Sequence, residues 1–351
     1  MKKHIFYILL IGGFCGLLLF TLTFSREKHP NNGFNRNFID VKLQQKKVLD
    51  LQSSSFIFIG SSDTGVLLRN FEHPTLMYRI TKSSKNIDTI SLKVPSDFNT
   101  TAAYTNITVL QPYSYLTNSS GSIIMLHKNI NFKIPNTAFD QSCAISSNSI
   151  IVRVVKTNNG QKQRQLTKLV LSKGITIAKE FALPKQVDGF FCTDGQLSFN
   201  AKHSKLFYTY FYRGNFLCLD TNLQLLYESK TIDTVHRAKI KLGVTTSRFK
   251  DGTILESTIL TDPSNLVNDF YTSNGDKIYI LSALSADNEK VSIFDKKQSI
   301  DVYSEKEGKY LYSFNIPRYK GYKLDRFIVS DNSLSAIFNT FLVTYSINNA
   351  Y

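Results

Sequence analysis

The sequence predicts an all-β fold built from repeats of a four-stranded unit, and three observations carry that prediction. Past residue 40 the apolar residues alternate with a period of two rather than 3.6. Strand-like runs rich in Ile, Val, Phe, Tyr and Thr recur between turns of Asn, Ser, Gly and Asp. Two sequence marks also return at a nearly fixed interval, as a repeat architecture requires. The 351 residues are 42% hydrophobic and 20% charged, which excludes disorder for most of the chain and supplies enough material for a large core.

The chain starts with Lys2 and Lys3 ahead of an uncharged stretch, Ile5 to Phe24, of a length that can span a bilayer as a helix. Residues 1–25 are therefore expected to be a signal anchor, or a signal peptide cleaved after Ser25, since Thr23 and Ser25 are small residues at cleavage spacing. Positive charge ahead of the span places the rest of the chain outside the cytoplasm. The expected address is a bacterial cell envelope: anchored in the inner membrane facing the periplasm, or released to the periplasm if cleavage occurs. Residues 26–40, rich in Asn and charge and poor in aliphatics, are expected to be a stalk, and 41–351 the folded domain.

Within that domain the clearest strand-like runs are SFIFIG at 55–60, SIIMLH at 122–127, SIIVRVV at 149–155, KLFYTYF at 205–211, KIYIL at 277–281 and FLVTYSI at 341–347. The first repeated mark is a strand ending in proline, at Pro95, Pro135, Pro184 and Pro317. Proline cannot donate to a ladder, so it fits where the chain leaves an outermost strand. The second is an Asp ahead of the next apolar strand, at Asp50, Asp97, Asp140, Asp188, Asp269 and Asp325, five of them with a Phe within two residues. The Asp spacings are 47, 43, 48, 81 and 56 residues. A unit of about 45 to 50 residues with four short strands is the size of a propeller blade.

Six such units fit, giving a six-bladed β-propeller preceded by one hydrophobic helix. Seven blades are the alternative, and they would require the extra length between Ile232 and Asn265 to form a blade. Only three strands follow Asp325, while VKLQQKKVLDL at 41–51 precedes the first unit and can supply the missing outer strand. That closure removes an exposed edge. The repeat resembles the six-bladed, TolB-like propellers, and VDGFFCTDGQL with the following residues to 234 is similar to a segment of uncharacterised, membrane-anchored propeller proteins from the Bacteroidota. The resemblance implies a fold and an envelope location, and no activity.

The net charge of +15 is dispersed: the first 52 residues hold a surplus of five, and no run of five basic side chains occurs afterwards. With no zinc-finger spacing or aromatic RNA-binding signature, a solvated basic surface is expected and nucleic acid is not an expected partner. Cys143, Cys192 and Cys218 remain past the apolar stretch. Cys143 and Cys192 sit at comparable places in successive repeats, so a disulfide between them is one reading, and buried free thiols are the favoured one.

The six Asp residues form the main candidate site. If the repeat brings them to one mouth of the channel, they would bind a hard cation or a cationic ligand; the competing and preferred reading is that each caps a turn. A second group, Arg213 with His236 and Arg237 near Asp194 and Asp233, offers an anion-holding arginine and a histidine base if these side chains converge. No nucleophile elbow, phosphate loop, dinucleotide motif or zinc motif is present, and no cofactor is expected. The function that fits best is a membrane-tethered module binding a protein, peptide or small ligand. The alternative is a hydrolase or lyase acting on glycans or peptides at the channel mouth, and fold alone does not choose between them.

Overall fold

A computed structural model describes residues 12–13, 31–62, 64–82, 86–101, 104–158, 161–249, 251–252, 254–262, 265–330 and 332–348. The expected apolar helix lies outside those residues except for Gly12 and Gly13. Among the described residues no helix is long and apolar enough to cross a membrane.

Six four-stranded antiparallel sheets form the body, each built from consecutive strands except the last. The first strand in sequence, β1 (Lys42–Asp50), is held back for the end. Blade one is β2 (Phe56–Ser62), β3 (Gly65–Asn70), β4 (His73–Thr81) and β5 (Asp88–Ser91), and blade two is β6 (Asn106–Leu110), β7 (Tyr113–Thr117), β8 (Ser122–Met125) and β9 (Ile130–Lys133). Blade three is β10 (Ala138–Ala144), β11 (Ser149–Asn158), β12 (Gln161–Leu171) and β13 (Ile175–Ala182), and blade four is β14 (Gly195–Asn200), β15 (Lys205–Tyr210), β16 (Asn215–Asp220) and β17 (Leu225–Lys230). After an inserted hairpin, β18 (Leu242–Arg248) and β19 (Ile254–Leu260), blade five is β20 (Asn268–Asn274), β21 (Lys277–Ser282), β22 (Lys297–Ser304) and β23 (Tyr310–Pro317). Blade six is β24 (Arg326–Ser330), β25 (Ser333–Phe338) and β26 (Phe341–Asn348), completed by β1.

The ring closes as expected: β1 pairs antiparallel with β26 from Lys42 opposite Asn348 to Asp50 opposite Phe341. The innermost strands β2, β6, β10, β14, β20 and β24 each touch the next around the circle. All four prolines of the first mark stand at or just past the end of an outermost strand. Six buried apolar clusters hold the ring, one at each blade junction. Blades three and four, for example, share Ile151, Leu166, Leu206, Tyr208 and Leu217, and blades five and six share Leu281, Phe314, Phe327 and Val343. Stability thus comes from burying both faces of every sheet against its neighbours.

Two expectations are corrected. The seven-blade alternative fails because the extra length before Asn265 forms only the isolated β18–β19 hairpin, which joins no other sheet. The stalk expected at 26–40 is, from Asn32 onward, a docked segment. Phe34 and Arg36 are buried, and Arg36 donates from Nε to Asp301 Oδ1 (2.7 Å), from Nη2 to Asp301 Oδ2 (3.1 Å) and Leu284 O (3.0 Å), and from Nη1 to Glu289. Ile39 N–H donates to Ser313 O in blade five. Composition pointed to a stalk because one buried arginine and one phenylalanine do the anchoring, and an average over 15 residues hides them.

Candidate functional site

The innermost strands enclose a channel with a volume of about 1660 Å³. All six run the same way, so their N-terminal ends gather at one mouth and their C-terminal ends at the other. The mouth at the N-terminal ends carries the charge: Asp140, Arg153, Arg164, Asp194, Asp269, Asp325, Arg326, Arg69 and Glu72 all line it. The opposite end is mostly Ser, Thr and Asn, with Lys202 the charged exception.

Local backbone geometry puts two of these carboxylates in place. In β10 the register slips between Phe139 and Gln141, and in β20 between Asn268 and Phe270, so Asp140 and Asp269 are the unpaired residues of equivalent bulges. A bulge re-aims one side chain without ending the ladder. Here Phe139 and Phe270 stay on the packing side, Phe139 buried outright and Phe270 against Phe327 with ring centroids 5.6 Å apart. This explains the recurring Asp next to Phe: the Phe fills a blade junction and the bulge frees the Asp.

On the side of blades three and four every charge is paired with an opposite one, although Arg164 Nε makes no hydrogen bond. Arg153 donates from Nε and Nη2 to the two oxygens of Asp140 (2.6 and 2.7 Å), and from Nη1 to Asp194 Oδ1 (2.9 Å), Gly195 O (2.7 Å) and Tyr208 Oη (2.8 Å). Arg164 lies 3.4 Å from each carboxylate, stacks on Phe190 at 3.9 Å and donates to Phe190 O. Burial by itself would ease a proton off Arg153, but Tyr208, Asp140 and Asp194 outweigh it and hold the guanidinium charged. Burial pushes the Tyr208 phenol up to about 12, so Tyr208 is a neutral member of the network whose hydroxyl donates a hydrogen bond to Thr193 O (2.6 Å).

On the side of blades five, six and one, like charges face each other. Burial first, and then Asp325, raise the pKa of Asp269, against the opposing pull of Arg326 and Lys323. By surface area Asp269 is exposed, to channel water, so its burial is that of a group walled by protein and still wet. Arg326 Nε stands 3.3 Å from Asp325 Oδ2 in an exposed pair. Arg69 is only 6% exposed. Its Nη1 donates to Thr105 O (2.6 Å) and its face covers Phe71 at 4.3 Å, while its Nε has no acceptor. Burial and the nearby Arg326 lower its pKa to about 10.

The remaining sequence candidates do not converge here. Asp188 accepts from the N–H groups of Phe190 (3.1 Å), Phe191 (2.8 Å) and Cys192 (2.8 Å), which makes it a turn cap. Asp50 lies on the outermost strand of blade six and accepts from Gln52 N–H (2.9 Å). Asp97 is exposed between blades one and two and accepts from Asn131 Nδ2 (3.2 Å). A ring of six carboxylates is therefore not formed. Among the described residues no three His, Cys, Asp or Glu side chains gather closely enough to hold a metal ion.

Arg213 is buried over Tyr210 at 3.6 Å and donates to Pro184 O (2.9 Å). The His236 ring sits 3.4 Å from Gly214 O, and Arg237 is exposed. None of these three lines the channel, so they do not converge with the carboxylates at the mouth. Cys143 and Cys192 are free and buried in different clusters, so no disulfide joins them.

Sequence reading missed Arg69, Arg153, Arg164 and Arg326. The signal was there for the first two: an arginine inside an otherwise apolar strand, GVLLRN or SIIVRVV, has to find partners or a ligand because charged residues are almost never buried alone.

The fold is shared with a solved structure. A member of the DUF4221 family from Bacteroides vulgatus superposes with a TM-score of 0.56 at 11% identity, covering 90% of this chain and 99% of that one. A protein of unknown function from Bacteroides caccae aligns over 74% of this chain and 93% of its own with a TM-score of 0.31 at 11% identity, too low to argue from. No protein-family model matches the chain. No curated protein matches it either.

Proposed function

We propose that this chain is a binding module of the bacterial cell envelope, which takes its ligand at the charged mouth of the propeller channel. The observation that carries the reading is the uneven mouth. One half pairs its charges internally; in the other Arg69 Nε lacks an acceptor, like charges oppose each other at Asp269, and Arg326 and Asp325 hold only an exposed pair. Convergent, incompletely satisfied polar groups around a concave opening are what a polar ligand recognises. The channel is roomier than the roughly 300–1,000 Å³ of a small-molecule pocket, which suits a peptide segment or a small ligand with bound water.

The apolar stretch Ile5–Phe24, with Lys2 and Lys3 ahead of it, supports export and tethering, with the propeller in the periplasm. Carbonate washing of membranes from cells expressing the full chain tests this part: retention is the expected result, and release argues for a cleaved signal.

The binding reading is tested by thermal-shift screening of the full chain against anionic, cationic and neutral small molecules and short peptides, repeated on Asp325→Asn and Arg326→Gln chains. Hits that either substitution abolishes are expected. A panel in which every hit survives both would overturn a ligand site at this mouth.

A further inference from the structure

We infer that the blade-one side of the mouth is an oxyanion site, in which Arg69 and Arg326 hold a carboxylate or phosphate group of the ligand. The inference rests on the proposed binding role and adds the ligand's chemical class and the residues that read it.

Arg69 is the anchor. It is the next-to-last residue of β3, opposite Ile57 of the innermost strand β2, and it lines the channel mouth. A guanidinium carries five N–H donors in a planar fork and cannot shed its charge at neutral pH. Here one nitrogen is used on Thr105 O, and Nε is buried with no acceptor. Among the described residues no carboxylate lies within ion-pair distance of Arg69, in contrast to Arg36 and Arg153, which each hold two. A buried, uncompensated charge is costly, and proteins keep one where something else supplies the counter-charge.

Arg326 supplies the second positive group. It opens β24, the innermost strand that packs beside β2, and its side chain lines the same channel mouth as Arg69, so the two positive charges oppose each other. Two cations that repel each other across one opening are relieved together by a single anion between them, and a planar or tetrahedral oxyanion can accept from both forks. The rim next to Arg69 carries Phe71 and Tyr104, 53% and 65% exposed, which offer flat apolar faces to whatever bears the anion. Blades three and four have no such capacity, because their two arginines already face two aspartates.

The test is titration calorimetry of the full chain with inorganic phosphate and, separately, with acetate. Saturable 1:1 binding of at least one is expected. Arg69→Met and Arg326→Gln should each weaken it roughly 10- to 100-fold, the range for one lost charge-assisted hydrogen bond. Arg69→Lys, which keeps the charge and loses the fork, should weaken it less than Arg69→Met. Lys202→Gln, which removes a positive charge from the far end of the channel, should leave it unchanged.

Acetate binding marks a carboxylate ligand; binding of phosphate alone marks a phosphoryl one. Equal losses in Arg69→Met and Lys202→Gln chains would reduce the effect to net charge and overturn the site. No binding of either anion would overturn it too, and mouth-dependent hits among cationic or neutral compounds would then leave the binding role standing on other chemistry. Far-ultraviolet circular dichroism and the unfolding midpoint of each variant, Arg69→Lys included, separate lost binding from lost fold.

Discussion

The two halves of the channel mouth are built from the same residue types and end in opposite states. At blades three and four, two arginines and two aspartates sum to zero charge, and Arg153 alone makes five hydrogen bonds from behind the first layer of the wall. At blades five, six and one, two arginines meet two aspartates and Glu72; Arg326 holds Asp325 only in an exposed pair, Asp325 also opposes Asp269, and Arg326 opposes Arg69. The compositions are similar and the arrangement decides. Opposite charges buried in contact make a structural brace; charges whose neighbours are of like sign, or whose only partner is exposed, make a site that a ligand completes.

The comparison breaks most readily at Arg153. Arg153→Met leaves Asp140 nearly buried and without its two closest donors, so a loss of about 3–5 kcal/mol is expected, the cost of removing one partner of a buried pair. Urea unfolding of the full chain measures it. Arg69→Met, a substitution of the same kind two blades away, removes a charge with no carboxylate partner. Relief of its burial offsets the lost bond to Thr105 O, and the change is expected to stay within about 1 kcal/mol. Similar large losses in the two variants would mean that Arg69 is as structural as Arg153 and that the halves do not differ.

A thiol reports on the same brace. Cys143 lies on β10, three residues past Asp140, and burial pushes its thiol up to about 12; that of Cys218 is pushed to about 11. Thiolates are the reactive form, so neither should react with a disulfide reagent in the native protein at pH 8. In denaturant all four cysteines of the chain should react. In the Arg153→Met chain Cys143 should become accessible well before global unfolding, while in the Arg69→Met chain it should stay silent. Two more thiols in denaturant with reductant than without it would restore the disulfide reading that the separate burial of Cys143 and Cys192 removes.

Much of the architecture could be read from sequence because it rests on short-range regularities. Period-two runs give strands, prolines at Pro95, Pro135, Pro184 and Pro317 give outer edges, and the shortage of one strand after Asp325 gives the closure by β1. The site was legible only in part. Asp140, Asp269 and Asp325 do reach the mouth, yet Asp188 carries the same mark and caps a turn instead, because three N–H groups of residues 190–192 curl back on it. Nothing in the spacing separates those outcomes; a one-residue slip in register does. Arg36 teaches the same lesson, since its partners Asp301 and Glu289 lie more than 250 residues away.

The smallest expected effect sharpens the contrast from the acidic side. Burial and Asp325 raise the pKa of Asp269 in the folded chain, so the folded state holds this proton to higher pH than the unfolded state does. Below the ordinary carboxyl range both states are protonated and Asp269 contributes nothing. As pH climbs through the raised value the unfolded chain ionises first, and stability falls until both forms are charged. Asp269→Asn should therefore match the wild type in strong acid, exceed it slightly at neutral pH, and flatten that part of the stability curve. Channel water screens the group, so the gain should be small and should shrink further in high salt. Wild-type stability that rises with pH across this window, with the rise abolished in Asp269→Asn, would mean that Asp269 has found a cationic partner. The open half would then be a second brace.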